Sequence, residues 1–232
     1  MQDRVVIVTG ASGNLGRAVV AELLSAGANV LATGHDGHGL AGLAAPESGR
    51  LETLGSIDLG DPAHCARVVA HCLATFGRVD GLANTVGGFD MGPVAPEGLA
   101  LFDRLMEMNA RTAYAISAAV LPAMQEAGHG RIVHVAAAPG LKAGARQSAY
   151  AASKAAVIRL TEAIAAENRD RRITANCILP GTIDTPDNRR AMPDADRSAW
   201  VSAQAIARLI RFLLSAEASA VTGAAIPATG RD

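Results

Sequence analysis

A tyrosine and a lysine, Tyr150 and Lys154, stand four residues apart in the segment YAASK, and these two residue types are suited to proton transfer. Residues four apart on a helix share one face, so both side chains can point into one cleft. A phenol has a pKa of about 10 in water, and a neighbouring cation is expected to lower it. The spacing therefore predicts a proton donor tuned by an ammonium group. The alternative is two solvent-facing residues on an alanine-rich helix.

A glycine-bearing loop near the start of the chain is a candidate binding site for a second reactant. The segment VVIVTGASGNLGRAVVAELL contains a short apolar run, the glycines Gly10, Gly13 and Gly16, and a helical pattern. In a strand, loop and helix of this kind, glycines let backbone N–H groups approach a pyrophosphate at the helix N-terminus. An ordinary strand-to-helix turn is the alternative. The place of the loop after the first apolar run favours dinucleotide binding.

The elements that must position these residues follow a regular alternation. Short β-branched runs alternate with longer alanine-rich helical patterns along the 232 residues, which is typical of βαβ units on a parallel sheet. We predict an α/β fold with one Rossmann-type, doubly wound parallel sheet, helices on both faces, and a single domain over residues 1–232. The predicted strands are residues 5–9, 29–33, 51–57, 81–84, 131–136, 174–179 and 225–227.

Two segments carry more local signals. Asp61 is the predicted N-cap of the helix after the third strand, Pro62 lies in its first turn, and Gly77 ends it beyond Phe76. Residues 182–200 follow a predicted strand, are rich in Pro, Asp, Asn and Arg, and show little periodicity. An insertion of this kind is a candidate lid over a ligand.

Together these segments resemble the short-chain dehydrogenase/reductase family, whose Rossmann-type fold opens with a Thr-Gly-x-x-x-Gly-x-Gly loop. Asn14 stands here in place of the middle glycine. Asn tolerates a left-handed backbone better than most residues, so the loop is expected to keep its function. Further landmarks of the family follow in order over the whole chain: DL at residues 58–59, NTVG at 84–87, Asn109, YAASK at 150–154 and PGTIDT at 180–185.

The resemblance implies a nicotinamide-dependent oxidoreductase with three catalytic residues. Tyr150 would donate the proton, Lys154 would also bond the nicotinamide ribose, and Asn109 would belong to a proton relay. The cofactor-binding residues that it implies, besides Tyr150 and Lys154, are Gly10, Ser12, Gly13, Asn14, Leu15, Gly16, His35, Asp58, Leu59, Asn84, Thr85, Val86, Gly87, Pro180, Thr182, Ile183 and Thr185.

One position departs from the family. A serine that bonds the substrate carbonyl is expected thirteen residues before Tyr150, where this chain has Ala137. Losing one such donor costs about 10²- to 10³-fold in rate. The dihydropteridine reductases of the same superfamily also lack that serine, and they resemble this chain in TPDNRRAMPDADRSAW (residues 185–200) and VGGF, where Phe89 could offer an aromatic face to a flat ring.

We therefore predict a reductase that transfers hydride to a small activated carbonyl, a quinone or a conjugated C=N group such as that of a quinonoid dihydropterin. The alternative, motivated by Ala137, is a dinucleotide-binding protein with little redox activity that serves as a sensor, a subunit or a non-redox catalyst.

The choice between NAD and NADP falls at the end of the second predicted strand. Gly34 occupies the usual position of the acid that bonds the ribose of NAD. His35 could receive a 2′-phosphate, whereas Asp36 would oppose one if it turned inward. The sequence favours NADP over NAD and leaves both open.

Composition limits the partners. The net charge is −1, from 21 basic and 22 acidic residues, and it predicts neither a nucleic-acid partner nor an anionic membrane surface. No apolar run approaches the roughly 20 residues that span a bilayer, so we expect a cytoplasmic protein. Three cysteines without zinc spacing predict no metal site. The family resemblance implies a small-molecule substrate and a homotetramer built on helices around residues 108–127 and 148–168.

Overall fold

A computed structural model describes residues 1–43 and 49–230, except for the side chain of His38. Its centre is a seven-stranded, fully parallel sheet, which confirms the predicted α/β fold. The strands are β1 (Val5–Thr9), β2 (Asn29–Thr33), β3 (Leu51–Leu54), β4 (Gly81–Asn84), β5 (Gly130–Val135), β6 (Ile173–Pro180) and, at the far edge, β9 (Ala225–Ala228), in the order β3-β2-β1-β4-β5-β6-β9. A separate parallel pair consists of β7 (Ile183–Asp184) and β8 (Val201–Ser202).

Seven α-helices accompany these strands in the described part of the chain. A six-residue π-helical stretch, Met106–Arg111, joins the third helix to the fourth. The helices are α1 (Asn14–Ser25), α2 (Pro62–Phe76), α3 (Leu99–Leu105), α4 (Thr112–Ala127), α5 (Ser148–Glu167), α6 (Pro186–Ala191) and α7 (Ala203–Leu214). None of the helices that the structure describes is long and apolar enough to cross a bilayer.

The two faces of the sheet are covered by different helices, as a doubly wound fold requires. On β1, Val6 and Val8 point into the core formed with α1 and α7. Their neighbours Val5 and Ile7 point into the core formed with α2 and α4. Because successive residues of a strand face opposite sides, this continuous apolar run fills two cores at once.

Local capping agrees with the prediction for α2. The Asp61 carboxylate accepts a hydrogen bond from the backbone N–H of Ala63 at 2.8 Å. At the other end Gly77 adopts a left-handed conformation with φ 76°, which favours glycine. The sequence therefore predicted both ends of this helix correctly.

The predicted strand at residues 51–57 is too long. β3 ends at Leu54, because Ser56 has a φ of 55°, which no strand continues. Gly55 packs closely against Gly37: a Cβ added to Gly55 would lie 2.7 Å from the Gly37 Cα. The other six predicted strands agree with the structure to within one residue.

The sheet order places a crevice at the carboxyl ends of β1 and β4. From β1 the chain builds outward through β2 and β3, and then returns to add β4 on the other side of β1. In open parallel sheets ligands bind where the order reverses in this way. The loop after β1 and the loop after β4 meet there.

Candidate active site

A cleft of about 560 Å³ opens at this reversal point. It lies at the carboxyl ends of β1, β2 and β4 and beside the segment after β3, with the π-helical stretch along one side. The predicted cofactor residues in its lining are Gly10, Ser12, Gly13, His35, Asp58, Leu59, Thr85, Val86 and Gly87. The structure thus brings predicted residues from four separate sequence segments to one cleft.

The glycine loop owes its shape to two of its glycines. Gly10 has a φ of 66°, and a Cβ there would lie 3.0 Å from Thr85 Oγ1. A Cβ on Gly16 would lie 2.2 Å from the carbonyl oxygen of Gly10, so only glycine lets α1 start this close to the loop. Gly13 is less constrained, because its Cβ would meet only that same oxygen, at 3.3 Å.

Asn14 does not use the left-handed conformation that the sequence suggested. It is the first residue of α1, and its φ is not positive. Its side chain is exposed and donates a hydrogen bond from Nδ2 to Asp187 Oδ2 at 2.8 Å. Leu15 and Gly16, which follow it, are buried within the packing of α1 and lie outside the cleft lining.

The end of the cleft beside β2 contains the residues expected to discriminate between cofactors. A Cβ on Gly34 would lie 3.3 Å from Ser12 Oγ, so a larger residue there would be crowded. His35 is exposed at the cleft. The Asp58 carboxylate accepts a hydrogen bond from the backbone N–H of Gly60 at 2.9 Å. Gly34, named in the sequence for this discrimination, lines the cleft, and sequence reasoning missed several other lining residues: Thr33, Ile57, Gly60, Arg104, Glu107, Met108 and Thr112.

Asn84 is buried and does not line the cleft. Its amide accepts a hydrogen bond from Thr9 Oγ1 at 2.6 Å and contacts His134 Nδ1 at 3.3 Å. His134 Nε2 in turn lies 3.1 Å from Ser117 Oγ, and that hydroxyl donates to the carbonyl of Ala113. The chain of hydrogen bonds ties β1, β4, β5 and α4 together directly below the cleft.

Tyr150 and Lys154 share a face of α5, as their spacing predicts. Lys154 is buried, and its Nζ donates a hydrogen bond to the carbonyl of Val135 at 3.0 Å. The same nitrogen lies 5.9 Å from the centroid of the Tyr150 ring. Burial lowers the pKa of Lys154 to about 8.

The expected lowering of the tyrosine pKa is not found. Burial raises the pKa of Tyr150 to about 12, because the half-buried phenol loses solvation for its charged form. The ammonium group of Lys154 is directed to a backbone carbonyl and does not offset that loss. Tyr150 is therefore fully protonated at neutral pH, which is the form that a proton donor needs.

Asn109 lies in the π-helical stretch and is fully bonded. Its Oδ1 accepts from the N–H of Gly88 at 2.9 Å, and its Nδ2 donates to the carbonyl of Gly88 and to Ser153 Oγ, both at 3.0 Å. Ser153 donates to the carbonyl of Tyr150 at 2.8 Å. Ser153 was missed in the sequence, although its place between Tyr150 and Lys154 on one helix was a signal.

Gly87 connects the cleft with this group of side chains. A Cβ on Gly87 would lie 2.8 Å from both Asn109 Oδ1 and Lys154 Nζ. Only a glycine leaves that space open beside the lysine, and Gly87 also lines the cleft. Tyr150, Lys154 and Asn109 thus stand at one end of the cleft without lining it.

Ala137 is buried at the end of β5. The turn that follows it, Ala138–Gly140, packs on α5: a Cβ on Gly140 would lie 2.9 Å from the carbonyl carbon of Lys154. A methyl group therefore stands where the family resemblance implies a serine. Phe89 is 60% exposed, and its ring meets that of Tyr150 edge to face, with centroids 4.9 Å apart.

The predicted lid, residues 182–200, is more regular than its sequence indicates. Pro180 ends β6, the carbonyl of Thr182 accepts from Val201 N at 2.9 Å, and Ile183 pairs with Val201 in the β7–β8 pair. Thr185 caps α6, and its Oγ1 accepts from the N–H of Asn188 at 3.1 Å. Both ends of the lid are thus held to each other.

A glycine loop at the reversal point of a parallel sheet, with a buried lysine and a tyrosine at the end of the same cleft, defines a dinucleotide-dependent oxidoreductase. The sequence model of the short chain dehydrogenase family matches residues 4–196, and the chain belongs to that family. It is therefore an NAD(P)-dependent oxidoreductase of the short-chain dehydrogenase/reductase type.

Several relatives are similar over nearly their whole length. The 3-oxoacyl-acyl-carrier-protein reductase FabG of Escherichia coli (strain K12) is 30% identical, and the match covers 99% of this chain and 97% of that protein. Levodione reductase of Leifsonia aquatica is 32% identical, with 98% and 93% covered. A crystal structure of levodione reductase matches with a TM-score of 0.91 at 30% identity, covering 99% of this chain and 97% of that one.

Proposed function

We propose that this protein is an NAD(P)H-dependent reductase of small, activated acceptors: a conjugated carbonyl, a quinone, or a conjugated C=N group such as that of a quinonoid dihydropterin. The observation that carries the proposal is Ala137, a buried methyl group beside α5 where the family has a hydroxyl donor. An acceptor that already favours hydride addition gains less from such a donor than a simple ketone does.

Each catalytic residue has a separate task in this proposal. Tyr150, which is protonated at neutral pH, donates its phenolic proton to the reduced oxygen or nitrogen of the acceptor. Lys154 provides the adjacent cation, and its bond to Val135 fixes its position. Asn109 fixes the backbone of Gly88 and bonds Ser153 on the same helix.

The cleft fits a nicotinamide dinucleotide. Gly10 and Gly16 leave room for the backbone of the loop to approach a pyrophosphate, and Gly87 leaves open the space beside Lys154 where a ribose would bind. The cofactor, when bound, supplies the hydride. His35 and Asp58 would hold the adenosine end, while Thr182, Ile183 and Thr185 would lie near the nicotinamide.

Phe89 supports a flat acceptor. It is exposed, and it stands edge to face with the ring of Tyr150, so an acceptor that reaches the phenol also contacts this ring. The resemblance of the lid and of VGGF to dihydropteridine reductases points to the same shape. The names of the two relatives above indicate carbonyl substrates, which fits a reductase of carbonyl compounds.

NADP is the proposed physiological cofactor. His35 is exposed at the cleft beside β2, where it can receive a 2′-phosphate, and Gly34 supplies no carboxylate for the ribose of NAD. Ser12 would crowd any Cβ at Gly34, which disfavours a larger side chain at that position.

The cytoplasmic location expected from the sequence stays a prediction.

The rival, a dinucleotide-binding protein with little redox activity, retains the cleft but needs no proton donor. The protonated phenol of Tyr150 beside a buried lysine favours the reductase. A direct test measures oxidation of NADPH and NADH with quinones, a quinonoid dihydropterin, a 3-oxoacyl thioester and simple ketones. We expect activated acceptors to exceed simple ketones by about 10-fold or more in kcat/KM. Robust turnover of simple ketones would contradict the substrate proposal, and no turnover with tight cofactor binding would favour the rival.

We further propose a homotetramer that uses the outer faces of α4 and α5. A groove of about 480 Å³ lies between the π-helical stretch, the first turn of α4 and α5, lined partly by Tyr114 and Leu160, and Tyr114 is 65% exposed. A second copy of the chain is the occupant that the family resemblance implies. Light scattering tests this: Tyr114→Arg should yield smaller particles than the wild type, whereas an unchanged mass would contradict this interface.

A further inference from the structure

One hydrogen bond joins the glycine loop to the lid across 173 positions of the chain. Asn14 Nδ2 donates to Asp187 Oδ2 at 2.8 Å. Asn14 stands at the first position of α1, where the resemblance implies a glycine without a side chain. Asp187 lies in the first turn of α6 and also pairs with Arg190. The contact therefore depends on a side chain at position 14, which the glycine implied by the resemblance would lack, and on the carboxylate of Asp187.

The rest of the lid is fixed independently of that bond. Its two ends are joined by the β7–β8 pair, and within it Arg189 forms two hydrogen bonds of 2.6 Å to Asp184. Asn188 Nδ2 also donates to the carbonyl of Ile183 at 2.8 Å. These bonds hold α6 to β7 without Asp187. The bond from Asp187 to Asn14 therefore has a separate effect, which is to connect α6 to the glycine loop.

From this geometry we propose that Asp187 is an intramolecular competitor of the dinucleotide pyrophosphate. The inference rests on the proposed function, in which the loop at residues 10–16 receives the pyrophosphate. The Asn14 amide donates to the Asp187 carboxylate; in this proposal a bound dinucleotide would take the same amide as donor to a phosphate oxygen, and the bond between the loop and α6 would break. Carboxylate and phosphate are both anionic acceptors, so the two bonds are exchangeable.

Charge makes the two states exclusive. The Asp187 carboxylate bonds Asn14 in the loop at residues 10–16, so a doubly negative pyrophosphate received by that loop, as proposed above, would lie near its negative charge. Like charges close together repel each other. The Asp187 side chain is 66% exposed, so it can move away into water without leaving a buried charge behind.

The test is calorimetry of NADPH and NADH binding to the full-length protein at fixed ionic strength. Asp187→Asn should bind the preferred cofactor about three- to tenfold more tightly than the wild type, the effect expected from one ordinary, solvent-exposed hydrogen bond. If Asp187 only stabilised the lid, Asp187→Asn would instead bind the cofactor more weakly than the wild type. Asp194→Asn, an exposed residue of the same lid, removes the same charge and should leave the affinity within about twofold.

A double-mutant cycle separates the effect of the Asn14–Asp187 hydrogen bond on cofactor affinity from the effect of the Asp187 charge. In an Asn14→Ala background Asp187→Asn should no longer tighten binding, since the donor is gone. Hydrogen exchange of α6 in the cofactor-free protein gives a second readout, and it should be faster in Asp187→Asn than in the wild type. Equal affinities for the wild type and Asp187→Asn would overturn the inference. If neither cofactor binds any of these proteins at millimolar concentration, the proposed function itself fails, whatever the exchange of α6.

Discussion

The ammonium nitrogen of Lys154 lies 5.9 Å from the centroid of the Tyr150 ring and 3.0 Å from the carbonyl oxygen of Val135. The lysine is thus anchored to β5 while its charge remains close to the phenol. Burial determines the pKa of both groups, and it keeps Tyr150 protonated and lowers the pKa of Lys154 to about 8. This arrangement supports the proposal that Tyr150 delivers a proton.

Replacing Tyr150 by Phe should remove most turnover. The substitution deletes only the phenolic hydroxyl, which carries the transferable proton, and general acid catalysis contributes about 10²- to 10⁴-fold in rate. Cofactor affinity, measured by calorimetry, should stay nearly unchanged. Single-turnover kinetics at neutral pH is the measurement, and a near-normal rate of the chemical step would show that another group is the acid.

Lys154→Ala provides the comparison. It removes the cation beside Tyr150 and the hydrogen bond to Val135 together, so it should impair both turnover and cofactor binding. Equal cofactor affinities of Tyr150→Phe and Lys154→Ala would argue against contact between Lys154 and the cofactor.

Two glycines of the same loop should respond differently to alanine. Gly16→Ala places a Cβ 2.2 Å from the carbonyl oxygen of Gly10, a distance that only movement of α1 can relieve. Gly13→Ala meets that oxygen at 3.3 Å and should be tolerated. We expect Gly16→Ala to lose about tenfold or more in NADPH affinity, or to lower the melting temperature. Similar behaviour of the two variants would contradict this account of the loop.

Stability should fall in acid because of His134. Burial and the nearby charge of Lys154 lower its pKa from 6.5 to about 4. The unfolded chain therefore binds a proton between pH 6.5 and 4 that the folded protein excludes, so His134 makes the free energy of unfolding drop as the pH falls through that window. The full effect is on the order of 3 kcal/mol. His129, with a pKa lowered to about 4 mainly by burial, adds to the same slope.

Urea denaturation from pH 4 to 7 measures this slope for the wild type and for His134→Gln, which keeps one donor and one acceptor. The variant should lose part of the slope, whatever its stability at pH 7. His35→Gln, at an exposed position, provides the background. An unchanged slope in His134→Gln would mean that His134 does not exclude a proton on folding.

Much of the fold was predictable because its signals are local. Capping of α2 by Asp61 and Gly77 depends on neighbouring residues, and the apolar runs of β1 and β4 show burial on both faces. The early end of β3 was not predictable in the same way. It depends on the positive φ of Ser56 and on the approach of Gly55 to Gly37, which lies eighteen residues earlier.

The candidate site was predictable where residues follow strand ends, and less so where contacts are remote. The sequence indicated Gly10 and Gly87 but not Arg104 or Glu107, which reach the cleft from the helical side. It also predicted the wrong direction for the Tyr150 pKa, because spacing shows a neighbouring cation but not the loss of solvent. The bond between Asn14 and Asp187 had no sequence signal at all.

Ala137→Ser tests the substrate proposal most directly. The serine restores the donor that the family resemblance implies, and we expect kcat/KM for a simple ketone to rise about 10-fold, or about 1.4 kcal/mol of transition-state stabilisation. Reduction of a quinone should change by less than about twofold, because an activated acceptor gains less from the added donor. Retained quinone turnover also shows that the variant is folded. Ala138→Ser, at the exposed neighbouring position, is the control and should change neither activity.

The decisive measurement is therefore the ratio of kcat/KM for a quinone to kcat/KM for a simple ketone, in the wild type and in Ala137→Ser. The account predicts a high ratio in the wild type that falls about 10-fold in the variant. A wild type that reduces the simple ketone as well as the quinone, with no response to the serine, would contradict it, since another group would then already fill the place of the missing hydroxyl.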